Sequence, residues 1–220
     1  MRLNTIIYEE FYKDPAAVRS EVLQQDFYPA NYLDDIVRAE GLDNDLVFHL
    51  SQIGNFCGKR TINAKENLGH LHTYTLDIVK QICNFQFPIE INSFFSLHTE
   101  EDINKNNSIH QDKDPIMAGI VYLSPIPIIG SGTYFYQHKK SKWTGLNYDK
   151  CPQSAFPDMY PNKREDQNIN NFQEFGYVEN MWNRLVLYDT NAIHKPGKMF
   201  GTDKNTGRLT QTFFVYMLRK

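Results

Sequence analysis

Apolar residues recur at helical spacing through the first 84 positions and at alternating spacing after that. Asp14-Pro15 pairs an N-cap carboxylate with a proline suited to the first helical position, and Val18, Val22 and Leu23 follow at helical intervals. A second helix is expected over about 43 to 56, with Leu46, Val47, Leu50 and Ile53 on one face and Gly58 beyond its end. A third is expected over 66 to 83, along the stripe Leu71, Tyr74, Ile78, Val79 and Ile82. From Phe85 the period becomes two. Phe85, Phe87, Ile89 and Ile91 alternate with polar residues toward Leu97, which predicts a strand with one buried face, and Pro88 puts its start at an edge. Further strands are expected at 116–123, 133–138, 172–178, 184–189 and 208–218. Turn signals separate them at Pro125-Ile126-Pro127, Gly130-Ser131-Gly132 and Lys195-Pro196-Gly197.

A helical block followed by many short strands predicts a mainly β protein with α, its helices layered on a β-sandwich or jelly roll. One domain of 220 residues is expected, with a helical layer over 1–84 and a β core over 85–220. Residues 139–171 form a polar excursion carrying Trp143, Tyr148, Phe156 and Tyr160. A loop of that length in a compact domain points to function or disorder.

Composition narrows the classes. A net charge of −3 lacks the basic footprint of sequence-independent nucleic-acid binding, so no nucleic-acid partner is expected. The aromatic content, 15 Phe and 13 Tyr among 220 residues, favours sheet. Cys57, Cys83 and Cys151 are odd in number and widely spaced, so neither a disulfide framework nor a zinc knuckle is indicated. Cys57 and Cys83 read as core thiols on helical faces. The opening MRLNTIIYEEF does not read as a signal peptide, and no apolar run is long enough to span a bilayer. A cytoplasmic protein without a membrane partner is expected.

The strongest local signal for chemistry is His110-Gln111-Asp112. In extended chain the imidazole and the carboxylate, two residues apart, point to one side and can share one point. Taken alone, such a pair also suits a surface histidine beside an acid. Its setting adds weight: the strand Ala118–Leu123, then Gly130-Ser131-Gly132-Thr133-Tyr134-Phe135, the strand Arg184–Asp189, His194, and Arg208-Leu209-Thr210 opening the last strand.

This order resembles the Fe(II)- and 2-oxoglutarate-dependent dioxygenases, in particular the prolyl 4-hydroxylase-like branch. The resemblance covers roughly residues 85 to 218. Phe11, Pro15, Val18 and Arg19 are also similar to the start of some small uncharacterised proteins of that superfamily. It implies a double-stranded β-helix and a two-histidine, one-carboxylate triad made of His110, Asp112 and His194, holding Fe(II) on one face and leaving three positions open. It further implies that 2-oxoglutarate takes two of these and O2 the third, that succinate and CO2 are released, and that a C–H bond is hydroxylated. In related halogenases a small residue replaces the carboxylate, so Asp112 favours hydroxylation. Asp114 is a rival carboxylate, four residues from His110 and just before Pro115, and fits the motif less well.

The far carboxylate of 2-oxoglutarate needs a cation. Arg208 offers a planar fork, Thr210 faces the same way two residues on, and by resemblance Tyr122 is the phenol reaching that carboxylate, its other reading being a core tyrosine. Arg208 follows His194 by fourteen residues, a wider interval than usual in the family, which a turn over Gly201–Gly207 would absorb. Lys195 and Lys198 are weaker alternatives. His70-Leu71-His72 reads as helix surface rather than metal site, and His98 and His138 as residues flanking strands. Gly130-Ser131-Gly132 lacks the Lys-Ser/Thr of a phosphate loop. The first expectation for the substrate is a prolyl or other amino-acid residue in a peptide, protein or small molecule. Two rival readings are a non-catalytic module binding a metal or dicarboxylate, and a cupin-like metalloenzyme that does not use 2-oxoglutarate.

Overall fold

A computed structural model describes residues 5–29, 57–103, 109–112, 115–146 and 169–218. They are mostly β, arranged in two antiparallel sheets. In chain order the elements are β1 (Thr5–Tyr8), α1 (Pro15–Val22), β2 (Tyr28–Pro29), β3 (Lys59–Arg60), α2 (Ala64–Asn67), α3 (Gly69–Cys83), β4 (Ile89–His98), β5 (Met117–Tyr122), β6 (Thr133–His138), β7 (Phe172–Val178), β8 (Leu185–Asp189), β9 (His194–Pro196) and β10 (Arg208–Met217). Short 3-10 turns follow β4 and precede β7.

Helix α1 starts as its sequence dictates: the Asp14 side chain accepts from the Ala17 amide at 2.9 Å and Pro15 takes the first turn. The helix expected over 66–83 is two helices, broken at buried Leu68 (φ −130°, ψ 45°), with Asn63 capping α2. Asn84 in the left-handed region ends α3. The helix expected at about 43–56 lies outside the described residues. Of the expected N-terminal layer, α1 and α3 pack Val18, Val22, Leu71 and Val79 in one core with Leu209, Phe213 and Val215 of β10.

The seven-stranded sheet runs β1-β8-β5-β10-β4-β3-β2, and the three-stranded sheet β7-β6-β9. Strand β10 is the spine: it pairs with β4 from Arg208↔His98 to Met217↔Ile89, and with β5 from Thr210↔Tyr122 to Val215↔Met117. Alternation gives this sheet two inner surfaces. One (Ile91, Phe95, Leu97, Val121, Leu185, Leu209, Phe213) meets the helices. The other (Ala118, Tyr122, Val186, Tyr188) meets Phe135 and Val178 of the smaller sheet.

This corrects the reading of the 85–97 segment. Strand pairing starts at Ile89, because residues 84–88 turn away from the left-handed end of α3. From Ser93 onward both faces of β4 are buried: Ser93 meets His72 of α3, while on the other face Arg60 lies over Phe94 and Gly58 abuts the His98 ring. Lys195-Pro196, expected in a turn, belongs to β9, where Pro196 sits at the sheet edge and its missing N–H costs nothing. Strands β1, β2, β3 and β9 were not expected. They are short, and partners more than a hundred residues away (Thr5↔Tyr188) define β1.

Two tethers tie the N-terminus to the sheets. Strand β1 pairs with β8 along an edge. Buried Arg19 donates through Nη1 to the Leu123 carbonyl (2.6 Å) and through Nη2 to that of Asn205 (2.5 Å). Asn205 lies in the long turn before β10, where the Asp203 carboxylate accepts from the amides of Asn205 and Thr206. That ordered turn occupies the wide interval between His194 and Arg208.

Candidate metal centre

His110 and Asp112 lie on an extended segment leading away from the small sheet. The His110 and His194 backbones form a reciprocal bridge, with each amide 2.9 Å from the other carbonyl. The bridge sets the two rings 4.4 Å apart between centroids. The Asp112 amide donates to the Thr190 carbonyl (3.1 Å) and the Gln111 side chain to the Asn191 carbonyl, so the segment is pinned on both sides of its acid.

The three side chains converge. Asp112 Oδ1 is 3.7 Å from His110 Nε2, and Oδ2 is 3.5 Å from His194 Nε2. One ligand atom from each residue lies within 4.8 Å of the others. An octahedral ion with bonds of about 2.1 Å sets neighbouring ligand atoms about 3 Å apart, so the three side chains would draw together to hold one. His194 Nδ1 is 2.9 Å from the Ala192 carbonyl, which fixes that N–H and leaves Nε2 as a lone-pair donor toward Asp112. Burial, with His110 beside it, pushes the His194 imidazole down to about 4 against the opposing Asp112 charge, so it stands neutral, as a metal ligand must. His194 is buried, whereas the His110 side chain is 41% exposed, so the group opens to solvent on the His110 side. Asp114 lies outside the described residues.

Arg208 is 2% exposed and points between the sheets. Its Nε donates to the Ser131 carbonyl at 2.8 Å and its guanidinium lies 5.6 Å from the centre of the Tyr122 ring. Among the described residues Nη2 has no hydrogen-bond partner and no carboxylate is among the charges that act on the group. Burial lowers its pKa, with the phenols of Tyr122, Tyr177 and Tyr188 opposing. The Tyr122 hydroxyl lies 2.7 Å from Thr133 Oγ1, and burial raises its pKa. Thr210, buried, is in register with Tyr122 across β10 and β5. The structure therefore brings together His110, Asp112 and His194, and, further inside, Arg208, Tyr122 and Thr210. Lys198 is exposed, and Lys195, next to His194 on β9, lies 5.8 Å from the Tyr136 ring centre.

Several residues were missed or misread from the sequence. Thr133 and the Ser131 carbonyl come from the Gly-rich turn, whose backbone is clamped where Gly197 and Lys198 donate to the carbonyls of Gly132 and Gly130. His98 is more than a strand-flanking residue. It is buried opposite Arg208, and burial between Arg208 and Arg60 pushes it to about 3. His72 is buried at 3.1 Å from Ser93 Oγ, which corrects the reading of surface helix, whereas exposed His70 pairs with Glu21. Cys57 is buried just before β3 and not on a helix. Trp143, expected in an open excursion, is buried against Ile109, Tyr136, Phe172 and Ile193 beneath the triad.

The neutral, buried His98 sets a pH dependence. The unfolded chain takes up this proton near the usual histidine value of about 6.5 and the folded protein only near 3, so unfolding gains protons. Its share of stability is complete above about pH 6.5 and is lost as pH falls toward 3. Going from about pH 7 to about 5 is expected to cost on the order of 2 kcal/mol through His98. Denaturant midpoints at the two pH values should differ less in a His98→Gln variant.

No helix among the described residues is long and apolar enough to cross a membrane. No curated protein matches the chain in sequence. Solved structures match it in fold. HygX from Streptomyces hygroscopicus, crystallised with nickel, 2-oxoglutarate and hygromycin B, is 12% identical with a TM-score of 0.51, over 98% of this chain and 83% of that one. The non-heme α-ketoglutarate-dependent carbocyclase SnoK from nogalamycin biosynthesis is 11% identical with a TM-score of 0.55, over 97% and 79%. A Pseudomonas putida prolyl-4-hydroxylase is 13% identical with a TM-score of 0.50, over 99% and 94%. The chain thus has the fold of Fe/2-oxoglutarate oxygenases. A sequence profile described as a family of unknown function, DUF6445, matches residues 48–215.

Proposed function

We propose that this chain, which belongs to the family of unknown function DUF6445, is an Fe(II)- and 2-oxoglutarate-dependent oxygenase that hydroxylates a C–H bond. In this reading residues 1–220 are one domain, with a helical layer over 1–84 on a double-stranded β-helix over 85–220 and an insert at 139–171. His110, Asp112 and His194 hold Fe(II). Arg208, with Tyr122 and Thr210 beside it, holds the far carboxylate of 2-oxoglutarate. Bound iron with 2-oxoglutarate supplies the oxidising equivalent from O2 and releases succinate and CO2.

The observation that carries the reading is the pairing of two features within one interior. Two imidazoles and a carboxylate converge on a point, and a buried guanidinium with no acid partner among the described residues faces the same space between the sheets. A buried cation is costly unless an anion meets it, so Arg208 is built for an anion from outside the chain. A metal site alone would not need it.

The chain's own groups do four things. The Ala192 carbonyl fixes the His194 tautomer, so that Nε2 faces the metal position. The His110–His194 backbone bridge fixes the spacing of the two rings. The Ser131 carbonyl orients the Arg208 fork through Nε and leaves Nη2 for the cosubstrate. Ala118, Phe135 and Tyr188 wall the interior with apolar surface and exclude water from one side of it.

Purified protein given Fe(II), 2-oxoglutarate and air is expected to release succinate slowly without any other substrate, and to stop on chelation. Absence of metal-dependent succinate would overturn the reading. Screening peptides, free amino acids and small molecules for acceleration of that release addresses the substrate, for which an amino-acid residue or related small molecule is our proposal.

A further inference from the structure

Tyr188 is a buried phenol whose oxygen the fold does not use. It lies on β8, 2% exposed, and its ring packs between the sheets with Ala118, Ala192 and Phe135. The ring stands edge-on to the His194 imidazole, 4.8 Å between centres, and edge-on to Phe135 at 5.3 Å. These two contacts hold it directly against a member of the triad. Its hydroxyl makes no hydrogen bond among the described residues. Packing does not seal that hydroxyl either, so the small part of Tyr188 that stays open includes the oxygen. A buried tyrosine ordinarily bonds a partner through its hydroxyl. Phenylalanine would fill the same space without an unpaired polar atom, so the oxygen points to a partner from outside the chain.

The register says which end of the interior this is. Tyr188 pairs with Ala118 of β5, and Tyr122 lies four residues further along β5, about 13 Å of strand. Tyr122 and Tyr188 point to the same inner face and share one cluster. Arg208 and Thr210 stand at the Tyr122 end, and His194 stands at the Tyr188 end. A cosubstrate that bridges Arg208 and the metal therefore runs along this interval with its oxo-acid end at Tyr188. Ala118 and Ala192, beside the phenol, offer no polar side chain there.

We propose that the Tyr188 hydroxyl donates a hydrogen bond to an oxygen of the 2-oxo acid end of 2-oxoglutarate. The proposal rests on the oxygenase reading above, and it adds a contact at the opposite end of the cosubstrate from Arg208. A phenol is protonated at neutral pH, so it can donate, and a bond to an anionic oxygen is among the stronger ones. The edge-on packing on His194 and Phe135 orients the donor before the cosubstrate arrives, so the bond also selects the direction in which the 2-oxo acid approaches the metal.

The test compares wild type with Tyr188→Phe, which removes one oxygen and keeps the ring. The whole chain is loaded with Mn(II) and titrated calorimetrically with 2-oxoglutarate and with pyruvate, which has the 2-oxo acid but no far carboxylate. Tyr188→Phe is expected to raise both dissociation constants about tenfold or more, with Mn(II) affinity unchanged. Arg208→Ala, by contrast, should weaken 2-oxoglutarate and spare pyruvate. The second readout is the visible charge-transfer band of the Fe(II) complex with 2-oxoglutarate under nitrogen. A hydrogen bond to the oxo acid lowers its acceptor level, so the band should move to shorter wavelength in Tyr188→Phe. That shift reports the contact even where pyruvate binds weakly. An unmoved band, or a pyruvate affinity that does not change in Tyr188→Phe, overturns the proposal. Wild-type protein that shows no band and binds no 2-oxoglutarate fails the oxygenase reading itself, and the proposal falls with it.

Discussion

Replacing Asp112 with alanine is expected to lower metal affinity and succinate release by at least about a hundredfold. Asp112 is the one anionic member of the triad. Its two oxygens face one imidazole each, at 3.7 and 3.5 Å, so it is also the hinge of the group's geometry. Without it a divalent ion meets only two imidazoles and loses both a bond and the charge that offsets its own. The fold should survive, because the backbone of residue 112 is held by the Thr190 carbonyl and not through the side chain. Mn(II) titration by electron paramagnetic resonance measures the first effect and succinate assay the second. Wild-type metal affinity in this variant would remove the carboxylate from the centre.

Replacing Arg208 with alanine is expected to raise the dissociation constant for 2-oxoglutarate by about a hundredfold or more, with Mn(II) affinity changed far less. Breaking one side of a buried, hydrogen-bonded charge pair costs about 2–5 kcal/mol, which corresponds to factors from about thirty to several thousand. Nearly full burial puts Arg208 in that regime. Its only described hydrogen bond within the chain is from Nε to Ser131, so most of the fork is left for the ligand. Arg208→Lys keeps the charge and loses the fork, and should fall between the two. Isothermal titration with 2-oxoglutarate on Mn(II)-loaded protein separates the cases. An unchanged affinity in the alanine variant would move the anchor elsewhere.

The β core was largely legible because its strands alternate and are bounded by turn residues. β5, β6, β7, β8 and β10 fall within about a residue of where alternation places them. His110 and Asp112 were legible as a pair because a two-residue spacing puts them on one side of extended chain, whereas His194 and Arg208 were singled out through the order of elements that resembles the oxygenases and not through any local spacing. Ser96 and His98 were hidden by the same rule. Polar residues alternating with apolar ones read as a solvated face, and nothing local reveals that distant segments bury it. Arg60 was hidden because β3 has two residues and exists only through its pairing with β4. Trp143 was hidden because a polar stretch of sequence gave no sign of the cluster beneath the triad that receives it.

The Arg19 guanidinium has a bearing on how the molecule can be divided. It spans from the end of β5 to the turn that delivers Arg208, while β1 borders β8. The leading segment is therefore splinted onto the very strands that present Arg208, the proposed anion anchor. Trimming the chain to its sheet region would remove that splint, and the shortened protein would lose purchase on dicarboxylates even with every ligating side chain still in place.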